Sequence, residues 1–214
     1  MRSCNKSKLN LVNLPVSCIF GILNIVISWT SAIISISLAP APFNPLNNYM
    51  SNLGNSSLNP DGAIIYNSSV IISGILFIIF FIGLYQWYTS LITDKILLKS
   101  TQILGILLSF TIIMTGIFSE DFKRQHIFWS IIAGILGFLV NVSIALYLFK
   151  QRESNKIISY TIIALIGLYI ILLFIISTKN VLTEWVVRIL GDISLILMIY
   201  NFNRIYQIRT KSIE

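Results

Sequence analysis

The chain has 214 residues, of which 56% are hydrophobic and 11% charged, with a net charge of +7 and a mean hydropathy of +0.83. A soluble domain carries about 25% charged residues, so most of this surface is built to face something other than water. The positive balance does not mark a nucleic-acid partner, because the basic residues sit in short clusters between long apolar runs, as cytoplasmic loops do.

Taken in order, the chain opens with Arg2, Lys6 and Lys8 and enters an apolar run from about Val12 to Ala39. That run exceeds the apolar core of a secretory signal, about 7–15 residues, and predicts a first spanning helix over 12–39. Pro15 falls in its first turn, where proline is tolerated. Pro40, Pro42 and Pro45 then end it. The loop over 40–62 contains YMSNLGNSSLNPDG (Tyr49–Gly62), rich in residues that turn the backbone and offer hydrogen bonds.

A second span is predicted over 63–90, with Tyr85, Trp87 and Tyr88 as an interfacial belt. Asp94, Lys95 and Lys99 mark the next connection, and a third span follows over 101–118. The charged turn Ser119–His126 leads to a fourth span over 127–149, which opens near Trp129, an expected interfacial anchor. The basic loop Lys150–Lys156 precedes a fifth span over 157–177. The short turn Lys179–Thr183 precedes a sixth over 184–206. A spanning helix needs about 20 apolar residues, so the length suits six with little left over. The expected fold is all-α: one polytopic integral membrane domain over 1–214, with six transmembrane helices.

Cys4 and Cys18 stand too far apart for a metal-thiolate motif and suggest no disulfide framework, so both are read as free thiols. Eleven Lys and Arg residues fall on the side of the termini and the even-numbered connections, against Lys123, Arg124, Lys179 and Arg188 on the other. The positive-inside rule therefore puts both termini in the cytoplasm, in a cell membrane. Lipid supplies no hydrophobic drive between helices, so small residues are expected where they pack. Ser69–Ser73, Gly105–Ser109 and Ser130–Gly134, with Gly137 and Asn141, are such positions.

Three polar groups fall at the non-cytoplasmic boundary. The first is the loop with Ser51, Asn52, Gly54 and Asp61, followed by Asn67 and Ser68. The second is Glu120, Asp121 and His126. The third is Glu184, Arg188 and Asp192, at i, i+4 and i+8 on one helical face. That stripe reaches about 12 Å along the helix, carrying Asp192 into the hydrocarbon zone, where a carboxylate costs a few kcal/mol unless paired or protonated. One reading is an ion triad that pins the sixth helix. The other has Arg188 holding the phosphate or carboxylate of an anionic lipid headgroup. His126 is the single histidine. A zinc site usually takes three or more protein ligands, so no metal or other cofactor is expected.

The S-x-L-G loop, the G-I-F-S-E-D-F…H-I-F-W turn and the E-W-V-V-R start of the last span together resemble the prokaryotic membrane family known as domain of unknown function 998. More distantly, the plan is similar to the eukaryotic Frag/DRAM/Sfk group. By that resemblance the corresponding positions are Ser51 and Gly54, Asp121 and His126, and Glu184 and Arg188. Where the family pattern leads one to expect a proline before the acid, this chain has Ser119. The resemblance implies a six-helix plan and, since the family has no assigned activity, supplies no mechanism. A likeness to hydrolases related to alkaline ceramidase fails, because their three histidines are missing.

The leading expectation is a non-enzymatic outer-leaflet module that binds, senses or transports a lipid or small ligand. Ser51, Asn52, Gly54, Asp121, His126, Glu184, Arg188 and Asp192 would line its site. One alternative is a metal-assisted lipid hydrolase or transferase using Asp121 and His126. The other is a structural partner of another membrane protein.

Overall fold

The computed structural model describes residues 14–40, 42–88, 92–175 and 181–210. Arg2, Cys4, Lys6, Lys8, Lys179 and Lys211 lie outside the described residues. Among the described residues, six α helices are formed: α1 (Val16–Ser37), α2 (Ala63–Gly83), α3 (Ile92–Ile117), α4 (Lys123–Lys150), α5 (Lys156–Ile175) and α6 (Val181–Thr210). Short 3-10 turns occupy Met50–Gly54, Leu84–Trp87 and Glu120–Phe122.

Over the described residues, α1, α2 with its 3-10 extension, α3, and α4 with its preceding turn are each long and apolar enough to cross a membrane, and Lys156–Ile170 adds a shorter apolar helix. The chain is an all-helical polytopic membrane protein. Its apolar side chains point outward as well as inward: Ile103 is 61% exposed and Ile131 57%.

The helix starts differ from the sequence expectation most at α3, by nine residues, and by three or four at α1, α4 and α6. α3 begins at Ile92, so Asp94, Lys95 and Lys99 form its first turns instead of a loop. No glycine or proline stops a helix there, and Asp94 in the first turn suits the positive end of the helix dipole. α4 begins at Lys123, inside the expected charged turn.

The helices run up and down as a ring. Each packs on its neighbours in sequence, and α1 packs on α6 to close the circle. α1 contributes a stripe of small and polar residues that the sequence reading did not single out: Ser17, Gly21, Asn24, Ser28, Ala32 and Ser35 are all buried. Their spacing of three and four is that of a packing seam, and small side chains let the backbones approach. Asn24 Nδ2 donates to the Ser73 carbonyl at 2.8 Å, and the Ser28 and Ser73 hydroxyls meet at 2.8 Å. A Cβ on Gly105 would lie 2.2 Å from the Phe81 ring, and one on Gly74 would lie 2.8 Å from the Ser109 carbonyl oxygen. The close α2–α3 crossing therefore requires both glycines. Ser130 is exposed and takes no part in packing, whereas Asn141 bridges to α6 through Ser194 at 2.6 Å.

The expected aromatic belt divides. Tyr85 is exposed, but Trp87 is fully buried against Phe202 and donates its indole N–H to the Phe202 carbonyl at 3.2 Å. Trp129 packs edge-on against Phe110 and Phe128.

Candidate functional site

The loop over 42–62, the α3–α4 turn and the start of α6 meet at one end of the ring. The loop is held there by its own amides. Asn55 Oδ1 accepts the backbone N–H groups of Ser57 and Leu58, closing a turn. Asn59, 2% exposed, donates from Nδ2 to the Ser35 hydroxyl at 2.9 Å and to the Ser35 and Leu53 carbonyls at 3.2 Å, and accepts the Gly62 N–H at 3.2 Å. This fastener between loop, α1 and α2 escaped the sequence reading. Its only signal was an asparagine directly before Pro60. From α6, Trp185 packs edge-on against Phe43 and donates its indole N–H to the Asn48 carbonyl at 2.9 Å.

The three expected groups are joined by two carboxylates. Glu184 accepts from the Ser51 backbone N–H at 3.0 Å and the Ser51 hydroxyl at 3.2 Å, tying α6 to the Met50–Gly54 turn. Asp121 accepts from the Ser56 N–H at 2.9 Å and hydroxyl at 3.0 Å on one oxygen, and from the Ser119 hydroxyl at 3.0 Å on the other. Gly54 is buried, its carbonyl accepts from Asn67 Nδ2 at 2.9 Å, and a Cβ there would lie 2.2 Å from Asn67 Oδ1. Asp61 and Ser68 are exposed and bind none of these groups.

His126 Nδ1 lies 2.9 Å from the Phe118 carbonyl and 3.2 Å from that of Thr115, so it carries the proton and caps the end of α3.

The stripe on α6 separates into two interactions. Arg188 Nε donates to Asp192 Oδ2 at 2.9 Å, and Trp29 Nε1 of α1 donates to the same oxygen at 2.9 Å. Glu184 turns instead to Ser51, so the three do not form one triad. Helix periodicity alone predicted the shared face. The rotation of α1, which brings Trp29 to Asp192, had no local signature.

What remains unpaired is as informative. Asn52 Oδ1, Glu120 Oε2 and Arg188 Nη2 are buried with no hydrogen-bond partner. Among the described residues, the last two are the only charged atoms in that state; the others are the neutral oxygens of Ser17, Asn24, Ser159, Thr183 and Asn203. The three belong to elements that meet at this end. The Met50–Gly54 turn touches both α6 and the Glu120–Phe122 turn. The charges of Arg188, Glu184 and Glu120 all act on the Tyr66 hydroxyl, and Glu120 and His126 both act on Glu184. A buried hydrogen-bonding atom left without a partner costs about 1–3 kcal/mol, and more when it belongs to a charged group. No group of three or more His, Cys, Asp or Glu among the described residues is placed to hold a metal ion.

The sequence model of the family described as "Protein of unknown function (DUF998)" matches residues 22–199. That match spans most of the chain and every residue of the site, and the chain belongs to this family. No curated protein and no solved structure matches it.

Proposed function

We propose, with that family membership as the premise, that the protein is a membrane-embedded binding module. It receives a lipid headgroup or small polar ligand at the loop end of its ring. The observation that carries this reading is the pair of buried, unpartnered charged atoms, Glu120 Oε2 and Arg188 Nη2, beside Asn52 Oδ1. A fold that leaves opposite charges buried and unjoined to each other is complete when a third group lies between them. The count of eleven Lys and Arg against four puts this end outside, at the outer leaflet of the cell membrane, with both termini in the cytoplasm. Sensing or transport would use the same site.

The hydrolase alternative gains nothing from the geometry. Both oxygens of Asp121 hold serines, His126 Nδ1 caps α3, and no hydrogen bond joins the two residues.

Native mass spectrometry of the full chain, released gently from its own membrane, tests the proposal. The wild type should carry a bound small molecule or lipid. Arg188→Lys keeps a cation for Asp192 but lacks the guanidinium fork, and should lose the ligand while staying folded. A bare chain for both proteins would sink the reading and favour a structural role beside another membrane protein.

A further inference from the structure

The unpaired atoms specify the chemistry of the ligand, on the premise that the loop end is a binding site. We infer that the site takes a zwitterion: a primary ammonium that donates to Glu120 Oε2 and Asn52 Oδ1, carrying an oxyanion a few bonds away that accepts from Arg188 Nη2.

Polarity comes first. Of Asn52 Oδ1, Glu120 Oε2 and Arg188 Nη2, two are acceptors and one is a donor. Their common partner must therefore donate at least two hydrogen bonds and accept at least one. An ammonium has three donors and no acceptor, so it answers the first requirement and leaves Arg188 to a second group on the same molecule.

Charge comes next. Arg188 already faces Asp192 at 2.9 Å, whereas Glu184 is held only by the neutral donors of Ser51 and Glu120 Oε2 has no donor at all. The site is thus short of positive charge. A purely anionic headgroup would meet two uncompensated carboxylates in low dielectric, which is repulsive. This favours a different headgroup from the anionic one that the sequence suggested. A bare cation would leave Arg188 Nη2 unpaired and repelled. A quaternary ammonium has no N–H and would leave both acceptors unsatisfied. Water satisfies the hydrogen bonds but does not neutralise Glu120.

An ammonium with a nearby oxyanion is found in ethanolamine phospholipid headgroups and in free amino acids or aminoalkyl phosphates, and the test separates these sources. Purified full-length protein is titrated with ethanolamine, choline and glycerol phospholipids and read by native mass spectrometry. Free aminoethyl phosphate is titrated in parallel by calorimetry. Ethanolamine lipid should be retained about tenfold or more over choline lipid, the worth of one charge-assisted hydrogen bond. Glu120→Gln, checked for folding by its thermal transition, should erase that preference.

Equal affinity for free aminoethyl phosphate would support the zwitterion and assign a soluble source. A preference for glycerol phospholipid that is indifferent to Glu120→Gln would overturn the zwitterion and leave the binding module standing. Retention of none of these probes, together with a bare chain from the native membrane, would overturn both and leave the site to water.

Discussion

The two ends of the ring are built from similar materials and reach opposite conditions. At the end opposite the 42–62 loop, Arg209 donates to Gln151 Oε1 at 2.8 Å and lies 3.6 Å from Glu153, and Gln151 Nε2 donates to the buried Asp94 at 2.9 Å. Arg204 holds the Glu153 carbonyl, and Lys156 donates to the last carbonyls of α4. Tyr147 donates to the Trp87 carbonyl at 2.6 Å, so this network lies against a fully buried aromatic pair. At the loop end, the fasteners are just as specific, yet two charged atoms stay unpaired. The end opposite the loop leaves only neutral oxygens without a partner, those of Ser17, Ser159 and Asn203, whereas the loop end leaves two charged atoms so. On the proposed reading, the first end serves stability and the second binding.

The largest effect should come from breaking the closed end. Trp87→Ala removes a fully buried ring and its hydrogen bond, and should cost about 3–5 kcal/mol, read as a lower thermal transition in detergent. If ligand retention falls while that transition holds, the division between the ends is wrong. Asn59→Ala comes next. It strips partners from the buried Ser35 hydroxyl and the Gly62 N–H, and should cost about 1–3 kcal/mol. It should also open the loop over 42–62 to proteolysis.

Gly105→Ala forces a methyl into the Phe81 ring and should cost about 1–3 kcal/mol through α2–α3 packing, with ligand retention unchanged in the folded fraction. Asp121→Asn weakens an exposed clasp and should cost below about 1 kcal/mol, seen as faster cleavage near Ser56. The smallest stability effect, and the sharpest contrast, belongs to Glu120→Gln. Removing a buried unpaired charge should leave the ligand-free protein as stable as the wild type or slightly more so, while the preference for ethanolamine over choline lipid is lost. A clear destabilisation of the ligand-free protein would mean that Glu120 is part of the scaffold.

Much of the fold was legible because hydropathy is written residue by residue. The apolar runs and the prolines after Ala39 marked α1 and its end, and the polar residues at one end could be gathered from topology alone. The site was legible as a neighbourhood and not as a set of bonds. Ser51, Glu184 and Arg188 were anticipated together, but periodicity joined Glu184 to Arg188, where the structure joins it to Ser51. Trp87 was placed at the interface because aromatic residues near a helix end usually belong there. Its burial depends on Phe202, more than a hundred residues away.

The sequence by itself determined the class and the approximate course of the helices, since both follow from local composition over a span of about 20 residues. Tertiary structure alone decided the order of helices in the ring and the rotation of each. Those two quantities set which polar atom meets which: Trp29 with Asp192, Ser51 with Glu184, and nothing with Glu120 Oε2 or Arg188 Nη2. Hydrophobic burial is non-directional and can be read along a chain. A hydrogen bond is directional and needs both partners in place, so the open positions of this site appear only once the helices are assembled.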